Sequence, residues 1–136
     1  MISINLAGPD MKVFVVEDSA AVRERLVEMI QEVEDVEVVG EAGNYDMAIA
    51  GITSTHPDVA ILDIKLADDA GSGIDVLIEV RKSLPAMRAI VMSNFYSPQH
   101  AKASADAGAE YFLDKSADFD RIPEILQQIN GSKSEG

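Results

Sequence analysis

Acidic residues stand directly after two short apolar runs of this sequence. Glu17 and Asp18 follow the run at 12–16, and Asp63 follows the run at 58–62. Three carboxylates that crowd together repel one another and raise each other's pKa unless a cation lies between them. Hard oxygen ligands with few protein contacts suit Mg²⁺, which keeps several waters. One carboxylate is then available as a nucleophile for a phosphoryl group, a known covalent role of aspartate.

A hydroxyl and an ammonium follow two further apolar runs. Ser93 comes directly after the run at 88–92, and Lys115 follows the run at 110–113 and one acid. A lysine supplies a point charge for a phosphoryl oxygen, and a serine hydroxyl donates a hydrogen bond to another. Each residue alone is more simply explained as a turn, a helix cap or a solvated surface residue. The complete set, in this order, indicates phosphoryl-transfer chemistry.

The apolar runs are separated by segments of helical periodicity. Runs of strand type lie at 12–16, 36–39, 58–62, 88–92 and 110–113. This alternation with short connections predicts an α/β fold of the (βα)5 type, with a doubly wound five-stranded parallel sheet covered on both faces. Ligands of such sheets bind at the carboxyl ends of the strands, where the residues described above stand.

Helix boundaries are also marked in the sequence. Ser19, Asn44 and Ser97 are placed to cap the first, second and fourth helices. We expect the third helix to show Ile74, Leu77, Ile78 and Leu84 on its apolar face and to end at Pro85. We expect the fifth to bury four aliphatic residues at helical spacing, which are Ile122, Ile125, Leu126 and Ile129.

Four motifs resemble those of the receiver domains of response regulators, the chemotaxis-regulator-like domains of two-component signalling. They are Val15-Val-Glu-Asp18, Ile61-Leu-Asp-Ile64, Met92-Ser93 and Asp114-Lys115. The separations also fit: 30 positions from Asp63 to Ser93, and 22 from Ser93 to Lys115. The resemblance covers residues 11–130 and implies a flavodoxin-like strand order of 2-1-3-4-5.

The resemblance implies an acceptor and a metal site. Asp63 is the expected phospho-acceptor, filled from the phosphohistidine of a histidine kinase or phosphotransfer protein. Glu17, Asp18 and Asp63 are the expected Mg²⁺ ligands, joined by the backbone carbonyl of Lys65.

The resemblance to receiver domains also implies a conformational switch. Ser93 is expected to hydrogen-bond the phosphoryl group and to move toward it, and Lys115 to pair with it. Phe112 occupies the family's aromatic switch position, and its inward movement would accompany that of Ser93. The surface of the fourth helix and fifth strand would then change for a downstream protein target, or the phosphoryl group would be relayed onward.

The chain departs from the family pattern at two places. The loop at 65–73 lacks the usual proline, is longer than is common and carries extra acids. Asn94 stands where the family prefers a very small residue, and Phe95 lies two residues after Ser93. We hypothesise that the apolar ring of Phe95 shields the phosphoryl group on Asp63 and slows its hydrolysis.

Composition limits the partners and the location. The 136 residues carry 11 basic and 24 acidic side chains, a net charge of −13 that disfavours nucleic acid and anionic membranes. No signal peptide is visible, and no apolar run reaches the roughly 20 residues that span a bilayer. Without cysteine, disulfides and thiolate metal sites are excluded. We expect a cytoplasmic protein with an extension at 1–10, a receiver domain at 11–130 and a polar tail at 131–136.

Three other interpretations are weighed against this one. A flavoprotein of flavodoxin type would need a hydroxyl-rich or glycine-rich phosphate loop where Glu17 and Asp18 stand. A phosphatase with an aspartyl nucleophile would need a second Asp at Lys65, so we expect no enzyme beyond a domain that catalyses its own phosphorylation and dephosphorylation. The alternative within the family is a degenerate receiver, a protein-interaction module that works without phosphate. The intact set of five residues disfavours it.

Overall fold

Five parallel strands form the sheet of this computed structural model, which describes residues 11–66 and 70–135, with side chains up to Gly131. The strand order is β2-β1-β3-β4-β5, as predicted. The strands are β1 Met11–Val16, β2 Val36–Ala42, β3 Val59–Asp63, β4 Arg88–Ser93 and β5 Tyr111–Asp114. The predicted extension at 1–10 and the acids of the long loop, Asp68 and Asp69, lie outside the described residues.

Helices follow the strands and cover both faces of the sheet. They are α1 Ala20–Gln31, α2 Tyr45–Thr55, α3 Gly73–Arg81, α4 Pro98–Asp106, the single turn α5 Lys115–Asp118, a 3₁₀ turn Phe119–Arg121 and α6 Ile122–Glu135. Within the part of the chain described here, no helix has the length and apolar character to cross a membrane.

The predicted helix starts are confirmed by their caps. The side chain of Ser19 accepts a hydrogen bond from the backbone of Val22, and Asn44 and Ser97 make the equivalent bonds at α2 and α4. These bonds satisfy backbone N–H groups that have no partner inside the helix.

The predicted end of the third helix is wrong. Helix α3 ends at Arg81, before Leu84, because the guanidinium of Arg81 donates to the carbonyls of Pro85 and Met87 and folds the chain back. Ile78, which was expected on the apolar face, is 49 % exposed. Helix α6 continues to Glu135 and so extends into the segment predicted as a polar tail.

Successive strand residues point to opposite faces, which divides the core into two layers. Phe14 and Val16 face α2 and α3, whereas Val13 and Val15 face α1 and α6. The four aliphatic residues predicted for the last helix are all buried in the second layer. The sheet is therefore covered by helices on both faces, and its carboxyl edge carries the strand ends.

Phe14 fills a space that two glycines leave open. The register between β1 and β2 shifts at Val13/Phe14, and Gly40 lies opposite Phe14. A Cβ on Gly40 would come 2.5 Å from Cε2 of the Phe14 ring, and a Cβ on Gly51 of α2 would come 2.6 Å from the same atom. The ring therefore packs directly against the backbone of both elements.

Candidate functional site

The carboxyl ends of four strands bring the predicted residues to one edge of the sheet. β1 leads into Glu17 and Asp18, β3 ends at Asp63, β4 ends at Ser93, and β5 leads into Lys115. The pairing of β4 with β5 places Ser93 opposite Asp114, directly before the lysine. The sequence prediction that these residues share one edge is therefore confirmed.

Three carboxylates converge at this edge. Oxygens of Glu17, Asp18 and Asp63 all lie within 4.8 Å of one another. Glu17 and Asp63 are buried, with exposures of 0 % and 2 %, whereas Asp18 faces solvent. A cluster of hard oxygen donors that is open on one side fits a Mg²⁺ ion, which retains part of its hydration shell.

Lys115 lies between the two buried carboxylates. Its Nζ is 3.0 Å from Oδ2 of Asp63 and also forms an ion pair with Oε1 of Glu17. The turn that carries the lysine is fixed by Asp114, whose Oδ1 accepts hydrogen bonds from the backbone of Ser116 at 2.8 Å and of Ala117 at 3.3 Å. The ammonium is therefore the counter-ion of the buried pair.

Burial and mutual repulsion shift the pKa values of the cluster. Burial, followed by the charge and hydrogen bonding of Glu17, raises the pKa of Asp63 to about 7, although Lys115 works against this shift. Burial opposes a rise in the pKa of Lys115, but hydrogen bonds to Glu17 and Asp63 outweigh it and raise that pKa. Slight burial also opposes the fall in the pKa of Asp18, which its contacts with Glu17, Asp63 and Lys115 produce.

The backbone that carries Glu17 and Asp18 is held from several directions. Oε2 of Glu17 accepts a hydrogen bond from the backbone of Ser19 at 3.0 Å. The carbonyl of Glu17 accepts one from Nη1 of Arg23 at 2.8 Å. Arg23 was not predicted from the sequence, because an arginine on the first turn of an amphipathic helix is indistinguishable from an ordinary surface residue.

Ser93 is buried and lines the same cavity as Asp63, but its hydroxyl bonds to the backbone of its own loop. Its hydroxyl donates a hydrogen bond to the carbonyl of Phe95 at 2.8 Å and accepts one from the backbone N–H of Phe95 at 3.2 Å. Residues of both flanking loops surround a cavity of 240 Å³ above this point, including Asp63, Lys65, Asn94 and Phe95. The cavity leaves room for a ligand between the carboxylate and the loop after β4.

Phe112 lies half-buried in β5 against an aromatic neighbour that sequence analysis missed. The ring of Tyr96 meets it edge to face, with centroids 6.0 Å apart and planes at 78°. Tyr96 is 66 % exposed and Phe95 is 80 % exposed, so two aromatic rings project from the loop after β4. This loop therefore connects Ser93 to Phe112 through Tyr96.

The start of α3 packs against the backbone of Asp63. Gly73 donates its N–H to the carbonyl of Ile64 at 2.9 Å, and Ser72 and Asp75 form a reciprocal capping box. A Cβ on Gly73 would collide with the carbonyl oxygen of Asp63 and lie 2.8 Å from its carbonyl carbon. The end of the loop, at Gly73, therefore contacts the backbone of Asp63, where the loop begins.

A family model described as the response regulator receiver domain matches residues 13–127. The chain belongs to this family. Among solved structures, the signal receiver domain of the response regulator NarL from Mycobacterium tuberculosis superposes with a TM-score of 0.81 and is 27% identical, with 90% of this chain and 98% of that one covered.

Curated relatives of this receiver domain are two-component regulators. The DNA-binding transcriptional activator DevR/DosR of Mycobacterium tuberculosis is 29% identical over 124 residues, which are 91% of this chain and 56% of that protein. The sensory transduction protein LytT of Bacillus cereus is 31% identical over 123 residues, which are 90% of this chain and 48% of that protein. The chain thus spans about half the length of these two relatives.

The receiver domain brings four of the seven predicted residues into one cluster and places the other three outside it. Glu17, Asp18, Asp63 and Lys115 form one cluster. Ser93 lines the adjoining cavity with Lys65 but bonds to its own loop, and Phe112 contacts Tyr96. The roles predicted for these residues, including that of the Lys65 carbonyl, remain predictions.

Proposed function

We propose that this receiver domain accepts a phosphoryl group on Asp63 from the phosphohistidine of a histidine kinase or phosphotransfer protein. The observation that carries the proposal is the pairing of a buried Asp63 carboxylate with Lys115, inside a cluster of three carboxylates. A nucleophilic carboxylate at the carboxyl edge of a parallel sheet is placed where such folds bind ligands.

The proposed step transfers a phosphoryl group from the phosphohistidine of the donor to the carboxylate of Asp63. An Asp63 oxygen attacks the phosphorus, a new O–P bond forms, and the N–P bond of the donor breaks. The leaving imidazole nitrogen keeps the electron pair and takes up a proton from solvent. Lys115 already contacts Asp63 and neutralises charge on the phosphoryl oxygens, so that catalysis rests mainly on positioning and charge.

Glu17, Asp18 and Asp63 would hold the Mg²⁺ ion, with the carbonyl of Lys65 as the further ligand that we propose. When bound, the ion supplies positive charge that offsets the three carboxylates and the incoming phosphoryl group. Two of the three carboxylates are buried and only one faces solvent, so the ion would enter from the side of Asp18.

The proposed signal starts at Ser93. To bond a phosphoryl oxygen, its hydroxyl must give up the hydrogen bond that it donates to the carbonyl of Phe95. The loop is then free to shift, and Tyr96 is the aromatic ring of that loop that touches Phe112. Movement of Ser93 and Phe112 would alter the surface of α4 and β5 for a downstream protein target.

The partners that we propose are proteins. The net charge of −13 disfavours direct contact with nucleic acid or an anionic membrane by this domain. DNA binding by the named relative DevR/DosR therefore does not transfer to the receiver portion. A cytoplasmic location remains part of this proposal.

The test is the intact mass of the protein after incubation with acetyl phosphate and Mg²⁺. We expect one added phosphoryl group on the wild type, none on Asp63→Asn, and none when EDTA is present. Asp58→Asn is the matched control, because Asp58 precedes the opposite end of β3. It should be modified like the wild type.

Two outcomes would contradict the proposal. Modification of Asp63→Asn would place the acceptor elsewhere. A wild type that takes no phosphoryl group from either acetyl phosphate or its kinase, yet still binds its partner, would instead support a degenerate receiver.

A further inference from the structure

Arg23 makes the contact that joins α1 to the acidic loop. Its Nη1 donates to the carbonyl of Glu17 at 2.8 Å, and its Nε is 3.2 Å from Oε1 of Glu41, just before the end of β2. The side chain is only 23% exposed although it carries a full charge. A partly buried guanidinium with two oxygen partners is held in one geometry.

The neighbouring backbone leaves just enough room for this guanidinium. A Cβ on Gly43 would come 3.1 Å from Nη1 of Arg23 and 3.7 Å from the carbonyl oxygen of Glu17. The glycine therefore borders the place where the arginine meets the loop. Arg23, the Glu17 carbonyl and Gly43 therefore pack closely together.

The carbonyl of Glu17 belongs to the peptide that leads into Asp18. On the other side of Glu17, the backbone N–H is fixed by the carbonyl of Ala42 at 3.0 Å. Asp18 faces solvent, so the direction of its carboxylate depends on the orientation of the backbone rather than on packing. The hydrogen bond from Arg23 to the Glu17 carbonyl restrains this same peptide.

We propose that Arg23 is a positioning residue for the Mg²⁺ site, acting through the Glu17 carbonyl to aim the carboxylate of Asp18. The inference rests on the proposed function, since it assigns a role at the same site. Preorganised ligands bind an ion more tightly because less conformational freedom is lost on binding. Loss of the arginine should therefore weaken Mg²⁺ binding even in a fully folded protein.

The experiment is a calorimetric titration of Mg²⁺ into the full chain, together with thermal unfolding in EDTA. We expect Arg23→Met to raise the Kd for Mg²⁺ about tenfold, which corresponds to about 1.4 kcal/mol. Arg23→Lys, which keeps one donor, should fall between this variant and the wild type. A merely structural role would lower the unfolding temperature and leave the Kd unchanged.

Two controls separate positioning from other effects. Glu41→Gln removes the ion pair of Arg23 but keeps its bond to the Glu17 carbonyl, and should bind Mg²⁺ like the wild type. Arg25→Met removes one positive charge from the same helix and should have little effect. Loss of a positive charge near a cation site would by itself lower the Kd. Equal losses of affinity in Arg25→Met and Arg23→Met would therefore show an unspecific effect of changing α1 and overturn the inference, as would a Kd for Arg23→Met within about twofold of the wild type.

The outcomes also separate this inference from the proposed function. A wild type that binds no Mg²⁺ overturns both. A wild type that binds Mg²⁺, and depends on Arg23 for it, but takes no phosphoryl group on Asp63 overturns the proposed function alone. If Arg23→Met does not fold, the Kd of Arg23→Lys for Mg²⁺ is compared with that of the wild type instead. Equal values would overturn the inference.

Discussion

Gly73 lies so close to Asp63 that no side chain fits between them. A Cβ on Gly73 would overlap the carbonyl oxygen of Asp63, and the N–H of Gly73 is already bonded to the next carbonyl along the chain, that of Ile64. The first residue of α3 is thus part of the wall that holds the proposed acceptor. Any added atom there must move either the helix or the strand end.

We predict that Gly73→Ala destabilises the fold by about 2 kcal/mol, because the new methyl group is forced against backbone that cannot give way. It should also slow phosphorylation by acetyl phosphate, since Asp63 is displaced. Gly131→Ala is the matched control, because Gly131 is also helical and has nothing within 4 Å of a new Cβ. That change should be neutral or stabilising by up to about 1 kcal/mol. Urea unfolding of both variants tests the pair, and equal effects would contradict the prediction.

Because the pKa of Asp63 is raised, we predict that ionisation of its carboxyl lowers the stability of the folded protein in a pH-dependent way. The pKa of this carboxyl is near its ordinary value of 3.8 in the unfolded chain and about 7 in the folded protein. The folded state therefore binds the proton more tightly between these values, and stability falls as the pH rises through that window. In EDTA, Asp63→Asn should be more stable than the wild type at pH 8, with a smaller difference at pH 5. The difference in stability between the two proteins at pH 8 should not exceed about 4 kcal/mol, because one pKa unit corresponds to about 1.4 kcal/mol.

Denaturant titrations of both proteins at the two pH values measure this difference. A difference that is independent of pH would show that Asp63 titrates normally in the folded state. Excess Mg²⁺ should reverse the order at pH 8, because the wild type gains a bound ion that Asp63→Asn holds less well.

Removal of the Lys115 ammonium should be costly because it leaves two buried carboxylates without their cation. We predict that Lys115→Met lowers the free energy of unfolding by about 3 kcal/mol in EDTA. Mg²⁺ should restore much of this loss, since the ion replaces the missing charge. Lys102→Met is the control, because the pair of Lys102 with Asp106 is exposed to solvent and contributes little to stability. Equal losses in both variants would refute the assignment of Lys115 as the counter-ion.

The exposed ring of Phe95 borders the cavity above Asp63. If it shields the phosphoryl group, Phe95→Glu should speed phosphate release at least about threefold, because a carboxylate can orient the attacking water. Phe95→Leu keeps an apolar side chain and should behave like the wild type. Phosphate release is measured after rapid removal of the phosphodonor. Equal release rates in the wild type and Phe95→Glu would contradict the hypothesis.

The edge-to-face contact between Tyr96 and Phe112 should break when Asp63 is phosphorylated. We predict a change in the NMR shifts of the Tyr96 ring protons on addition of acetyl phosphate and Mg²⁺, because the two rings separate. The ring of Tyr45, at the start of α2, serves as the control and should change little. Ser93→Ala should suppress the Tyr96 change while Asp63 is still modified. An unaltered Tyr96 signal in fully modified wild type would rule out the proposed path.

The fold and the cluster were accessible from sequence because both depend on local patterns. The run at 58–62 is a buried strand whatever surrounds it, and an acid at its end must lie at the sheet edge. Arg23 and Tyr96 were missed because their roles depend on contacts that form only in the folded chain, with the carbonyl of Glu17 and the ring of Phe112. The end of α3 was misplaced for the same reason, since Arg81 captures the carbonyls of the following turn.

The wedge of Phe14 between Gly40 and Gly51 has a consequence for how this sequence can drift over evolutionary time. A ring that touches the backbone of both a strand and a helix ties three positions into one volume. A larger residue at either glycine fits only if a smaller residue has already replaced Phe14. A smaller residue at Phe14 leaves a cavity unless a larger residue replaces one of the glycines. Among related sequences, these three positions should therefore change together, so that their combined size varies less than that of any one of them.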